Sequence, residues 1–143
     1  MEIRMGCGDL SDNTLVELLE SCNLRNDLFH HADHVRFAWI CVRQFGEQVA
    51  AERVLGGIRQ FAIHNGSPQK FHYTRTRAWV RLIAVEQQKS PDSTLFAEFV
   101  AAHPELLDAN ALAPYYSKSV LESPAALIGW VEPDISPLPS LSK

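Results

Sequence analysis

The sequence predicts an all-α fold, a single domain over residues 1–143 that forms a bundle of about five helices with an irregular proline-rich C-terminal wrap. Two observations support this prediction. Apolar residues recur at helical spacing in five segments that end at cap and turn residues. In addition, no segment of more than a few residues alternates apolar and polar side chains as a strand must.

The first helix is predicted within residues 10–22, LSDNTLVELLESC. Ser11 or Asp12 can cap its N-terminus by accepting a backbone N–H hydrogen bond, and leucines repeat along it at helical spacing. Residues 1–10 contain two glycines and no periodic pattern, which indicates an ordered lead-in or a frayed end. After the break NLRND, a second helix is expected at about 30–46.

A third helix is expected at about 47–64, because the segment HNGSP that follows contains strong helix terminators. Asn65 or Gly66 supplies a left-handed residue at the C-terminus, and Pro68 cannot continue the helix. The fourth helix is expected at about 72–89 and is ended by the segment SPD.

The fifth helix, capped by Asp92 or Ser93, should cover residues 94–103. Beyond it the chain offers one or two short helical turns separated by prolines. The tail from about 131 to 143 contains three of the eight prolines. We therefore expect the tail to be extended, and either laid over the bundle or loose.

The composition, with 46% hydrophobic and 21% charged residues, is typical of a globular domain. A formal net charge of −4 argues against general nucleic-acid binding, which needs a basic surface. No apolar run reaches the length of a membrane span, and the N-terminus lacks the pattern of a secretory leader. Three cysteines, an odd number without metal-type spacing, indicate reduced thiols. We expect a cytoplasmic protein that binds neither nucleic acid nor membrane, and a homodimer stays open.

Four of the six histidines lie near two of the helix starts: His30, His31 and His34 on the second helix, and His72 on the fourth. At about 100° per residue, His31 and His34 share an apolar face, and being three residues apart they are neighbours on it. His30 lies at the edge of that face and is the alternative partner of His34. The same face continues through Ala38, Cys41 and Phe45.

On the fourth helix, His72 and Thr76 begin a stripe that Trp79 and Ile83 continue, and Arg75 projects toward the same side. Guanidinium bonds a carboxylate or phosphate through two parallel hydrogen bonds, so Arg75 is a candidate for binding an anionic molecule. A structural ion pair is the alternative for Arg75.

If the two helices pack through their N-terminal ends, His31, His34 and His72 come together. Three imidazoles with an open fourth position form a recognised catalytic metal arrangement. The sequence therefore predicts one divalent transition-metal ion, and imidazole ligands do not distinguish zinc, iron, nickel and copper. Cys41 is expected to be a small core residue rather than a ligand. His64 is expected at the surface, and His103 is expected to be structural.

Three segments together resemble a family of short bacterial proteins of uncharacterised function. They are HADHVRFAW from residue 31, KFHYTRTRAW from residue 70, and YYSKSVLESPAALIGWVEPDISPLP from residue 115. The family patterns are H-x-D-H-V-R-x-A-W, K-[YF]-H-E-T-x-T-x-x-W and Y-Y-S…V-E-P-D-x-x-P-L-P, and the resemblance covers most of the chain after residue 28. It implies that the family's recurring polar set is His31, His34, Arg36, His72, Thr74 and Thr76.

One position departs from the family pattern. Tyr73 stands where the pattern has glutamate, so any function that needs that carboxylate is altered here. We assign Tyr73 to substrate binding together with Arg36 and Arg75.

Three functions fit these observations. The first is a metal-binding enzyme that holds an ion at the three histidines and acts on a small anionic molecule. The second is a metal-free enzyme in which His34 and His72 serve as acid and base and Thr76 hydrogen-bonds beside them. The third is a non-catalytic accessory or interaction protein whose histidines are structural.

Overall fold

The computed structural model describes residues 10–141. Residues 1–9 of the segment predicted to be a lead-in or a frayed end, with Cys7, lie outside the described residues. Within the described part the chain is all-helical, as predicted, and no strand occurs. Five of the seven α-helices have seven residues or more. The helices are α1 Asp12–Glu20, α2 His31–Phe45, α3 Glu47–His64, α4 Tyr73–Lys89, α5 Phe96–Ala102, α6 Lys118–Leu121 and α7 Pro124–Ile128.

Three short 3-10 turns connect these helices, at Asn26–Leu28, Pro68–Lys70 and Pro104–Leu107. Between residues 10 and 141, no helix combines the length and apolar character needed to cross a bilayer.

The predicted bounds of α1 to α4 agree with the structure because their caps act as expected. Ser11 Oγ accepts a hydrogen bond from Thr14 N at 3.2 Å and caps α1. After α3, Gly66 has φ +73°, the left-handed conformation that glycine adopts without steric cost. Asn65, the alternative, keeps a negative φ.

The predicted cap of α5 is wrong. The helix begins at Phe96, and the residue before it, Leu95, makes no side-chain cap hydrogen bond. Ser93 belongs instead to the turn that closes α4, because its N–H donates to the carbonyl of Ser90 at 3.2 Å. This turn delays the start of α5 beyond both predicted cap residues.

The core lies where α2, α3 and α4 pack against one another. Phe37 and Trp39 of α2 are fully buried, and Trp39 Nε1 donates to Gln87 Oε1 at 2.7 Å. A Cβ added to Gly57 of α3 would lie 3.1 Å from the Phe37 ring, so the absence of a side chain lets the two helices approach closely. Phe45, predicted on the buried face, is 40% exposed and lies under the Arg53 guanidinium.

The C-terminal segment crosses α4 and is held there by side-chain hydrogen bonds. Thr74, which is fully buried, donates through Oγ1 to Gly129 O at 2.6 Å and accepts from Val131 N at 3.1 Å. The Tyr116 hydroxyl donates to Val131 O at 2.7 Å. Residues 131–141 contain no helix or strand, and these hydrogen bonds tie Val131 to α4 and to Tyr116.

A carboxylate on α3 joins two arginines of α4. Glu47 Oε1 accepts hydrogen bonds from Arg77 at 2.9 Å and from Arg81 at 3.0 Å. Burial acts to raise the pKa of the Glu47 carboxyl, but the hydrogen bonds and positive charge of the two guanidinium groups outweigh it and lower the pKa. This cluster fixes the start of α3 against the middle of α4.

Candidate functional site

A small pocket of about 100 Å³ opens between α2, α3 and α4. Four residues singled out in the sequence line it: His31 and His34 from α2, and Arg75 and Thr76 from α4. The other walls are apolar and consist of Val35, Ala38, Val54, Ile58, Trp79 and Ile83. The structure therefore brings four of the predicted site residues to one recess.

His34 is exposed at one edge of this pocket, although its place on the apolar face of α2 predicts burial. Its ring lies in a depression and stacks on Phe29, with 4.0 Å between ring centroids. The surrounding protein limits hydration of the ring and, together with the neighbouring His31 and His30, lowers the pKa of His34 from 6.5 to about 4. The imidazole is therefore neutral near pH 7. Its nitrogens form no hydrogen bond with the chain between residues 10 and 141.

His31 is held in place by two contacts. Its Nε2–H donates to the carbonyl of Leu106 at 3.2 Å, since a carbonyl oxygen only accepts. Its ring meets the edge of Trp79, with 4.8 Å between centroids. The bond to Leu106 places a proton on Nε2 and fixes the orientation of the ring.

Arg75 and Thr76 contribute polar side-chain groups that have no partner within residues 10–141. Arg75 is exposed, and its guanidinium forms no ion pair or hydrogen bond within the described chain. The Thr76 hydroxyl likewise has no hydrogen-bond partner among residues 10–141. An unpaired guanidinium beside an apolar recess is suited to a ligand that has a negative charge and an apolar part.

His72 does not join this pocket. It is the N-cap of α4, where Nδ1 accepts a hydrogen bond from Arg75 N at 3.0 Å. Its Nε2–H donates to Leu121 O at 2.6 Å. Both ring nitrogens are thus used in holding α4 and α6 in place. His31, His34 and His72 do not form a set of ring nitrogens within 4.8 Å of one another, the spacing that a shared ion needs.

Arg36 and Tyr73, also predicted to bind substrate, lie elsewhere. Arg36 donates to Asp12 Oδ1 at 2.8 Å and to Leu10 O at 2.6 Å, which ties α1 to α2. Tyr73 lines an open groove of about 670 Å³ between α4 and the C-terminal segment, together with Trp130 and Arg77. Tyr73 and Arg75 therefore line different pockets.

Cys41 is a core residue, as predicted. It is 1% exposed, and burial raises the pKa of its thiol to about 12, with the opposing charge of Arg53 a smaller effect. The thiol therefore stays protonated at neutral pH.

Sequence reasoning missed a second cluster, Glu86, His103 and Glu105, in which one ligand atom from each residue lies within 4.8 Å of the others. His103 was expected to be structural, and it is indeed buried, with 7% of its surface exposed. Helical projection does not reveal the group, because its members come from α4, the end of α5 and the turn after it. The sequence carries one signal for this cluster: Ser90 and His103 each precede a proline, which predicts that a helix ends at each of them. The structure shows a helix ending at both positions.

Comparison of the chain with protein-family models, curated protein sequences and solved structures finds no match, so the site rests on its own geometry.

Proposed function

We propose that this protein binds a small organic anion with a short apolar body in the pocket between α2, α3 and α4. One observation carries the proposal: the unpaired Arg75 guanidinium and the unpaired, neutral His34 imidazole both line an apolar recess. A carboxylate on the ligand would accept from Arg75 and Thr76. Its apolar part would contact Trp79 and the aliphatic side chains beneath.

The size of the pocket limits the ligand. Its volume of about 100 Å³ is below the roughly 150 Å³ of a cavity that takes up benzene. The recess therefore suits an apolar body of about three to five carbon atoms. We infer a short-chain carboxylic acid as the ligand class.

The pKa of His34 favours binding over acid–base catalysis. A general acid or base works best when its pKa is near the working pH. With a pKa of about 4, His34 is almost entirely deprotonated at pH 7 and is a weak base. Its single ring N–H is therefore suited to donate a hydrogen bond to the carboxylate of the ligand.

The proposal assigns no ion to His31, His34 and His72, because both nitrogens of His72 are used in hydrogen bonds to Arg75 and Leu121. It also assigns no catalytic proton transfer to His72, for the same reason. His72 is instead a capping residue that orients the turn on which Arg75 and Thr76 lie.

A ligand series tests the proposal. Straight-chain carboxylates from two to eight carbons, with the corresponding alcohols and amines, are titrated into ¹⁵N-labelled protein. We expect saturable shifts at the amides of Arg75 and Thr76. We expect affinity to rise with chain length, then fall once the recess is full, and carboxylates to bind better than alcohols or amines.

Arg75→Gln should weaken carboxylate binding by roughly tenfold to a hundredfold, because a hydrogen bond to a charged group contributes about 1.5–3 kcal/mol. Arg59→Gln is the matched control, since Arg59 is also exposed but does not line this pocket. The proposal fails if no member of the series binds, or if Arg75→Gln and Arg59→Gln bind carboxylates equally.

A further inference from the structure

We propose that Glu86, His103 and Glu105 form a second site, which binds one divalent transition-metal ion. His103 Nδ1 lies 2.7 Å from Glu86 Oε2 and 3.9 Å from Glu105 Oε1. Ligands that each lie about 2.0–2.2 Å from a tetrahedral ion are roughly 3.4 Å apart. The two observed distances lie on either side of that value, so small side-chain movements complete the site.

The ring of His103 is already oriented for this role. Its Nε2 lies 2.8 Å from Ser90 Oγ, so Nδ1 faces the two carboxylates. A metal-bound histidine characteristically donates its second N–H to a nearby oxygen, which fixes the tautomer and the ring plane. Ser90 supplies that oxygen, and burial of His103 limits rotation of the ring.

The charges around the site favour a cation between the carboxylates. Oxygens of Glu86 and Glu105 lie within 4.8 Å of each other, and like charges at this separation repel. Lys89 contacts Glu86 Oε1 at 3.1 Å, which leaves Oε2 directed at His103. Glu105 makes no ion pair other than its 3.9 Å contact with His103 within the described chain.

An open pocket of about 330 Å³ adjoins the cluster, and both Glu86 and Glu105 line it. A water molecule or a small ligand can therefore reach a fourth coordination position. One imidazole with two carboxylates suits zinc and similar transition ions better than calcium, which takes six to eight oxygen ligands. The site lies outside the pocket of His34 and Arg75 and does not depend on that proposal.

Zinc titration of tag-free, chelator-treated protein tests the site. Calorimetry should show one Zn²⁺ bound per chain, with no binding of Mg²⁺ at the same concentrations. The ¹⁵N resonance of His103 Nδ1 should shift on adding zinc, because the ion replaces the proton that Nδ1 donates to Glu86 and leaves the ring proton on Nε2, beside Ser90 Oγ. Glu105→Gln should weaken zinc binding by about tenfold or more, and Ser90→Ala by about tenfold.

Glu98→Gln serves as the matched control, because Glu98 is an exposed glutamate on α5 outside the cluster. Glu105 is also exposed, with 58% of its side chain accessible, so its substitution leaves the fold intact. The proposal is overturned if zinc does not bind saturably, or if Glu105→Gln binds zinc as Glu98→Gln does. Loss of zinc only in His31→Gln or His34→Gln would also overturn it.

Discussion

At the residue scale, His34 is distinguished by surroundings that hold its imidazole in the neutral form. The folded-state pKa of about 4 lies below the ordinary value of 6.5. As the pH falls from 6.5 toward 4, the unfolded chain therefore takes up a proton that the folded chain does not. The free energy of unfolding therefore decreases as the pH is lowered through this interval. Above pH 6.5, His34 has no effect on the free energy of unfolding.

We expect His34→Gln to reduce this acid sensitivity. The loss of melting temperature between pH 7 and pH 4.5, measured by circular dichroism, should be smaller in the variant than in the unsubstituted protein. His64→Gln, at an exposed histidine of α3, should leave the loss unchanged. An equal loss in all three proteins would contradict the lowered pKa.

Single residues also explain why parts of the site could not be predicted. Projection correctly places His31, His34, Arg75 and Thr76 on facing sides of two helices, and the pocket unites them. The same projection places His72 with them, but an N-cap side chain folds back on its own helix. Periodicity describes directions around a helix axis and does not describe this local hydrogen bond.

At the scale of elements, the helix bounds follow from caps and breakers, which act over a few residues and are therefore readable in the sequence. The 3-10 turn at Pro104–Leu107 is different. Its Glu105 contacts His103, and its Leu106 carbonyl binds His31, so one turn touches both proposed sites. The contact between His31 and Leu106 joins residues that are 75 positions apart in the chain, and no local pattern records it.

The packing of α2 on α3 gives a matched pair of substitutions. Gly56 of α3 has no atom within 4 Å of an added Cβ, so Gly56→Ala should stabilise the protein by about 0.5–1 kcal/mol through helix propensity. At Gly57 the added Cβ meets the buried Phe37 ring at 3.1 Å. Gly57→Ala should therefore be less stable than Gly56→Ala by about 1–3 kcal/mol.

Urea unfolding of the two variants measures this difference directly. Because the substitutions are chemically identical and adjacent in sequence, helix propensity largely cancels between them. Equal midpoints for Gly56→Ala and Gly57→Ala would show that Phe37 moves aside without loss of packing.

At the scale of the whole molecule, the C-terminal segment belongs to the fold because it is hydrogen-bonded to α4. Thr74→Val removes both bonds of the buried hydroxyl and leaves Gly129 O and Val131 N without that partner. We expect a loss of about 1–3 kcal/mol in unfolding free energy. Faster proteolytic cleavage near residues 129–135 should accompany it.

Thr76→Val is the control for this prediction, since the Thr76 hydroxyl has no partner within residues 10–141. Its stability should stay within about 0.5 kcal/mol of the unsubstituted protein. Equal destabilisation by Thr74→Val and Thr76→Val would mean that the hydroxyl of Thr74 does not hold the segment.

The buried thiol of Cys41 can also be used to measure how often the bundle opens. A thiol-alkylating reagent reacts with the thiolate, and Cys41 forms one only when α2 separates from its neighbours. The rate at which the peptide containing Cys41 becomes labelled therefore counts these openings. A ligand that binds the closed bundle slows the labelling in proportion to its occupancy. A slower rate of Cys41 labelling therefore identifies ligands of either proposed site.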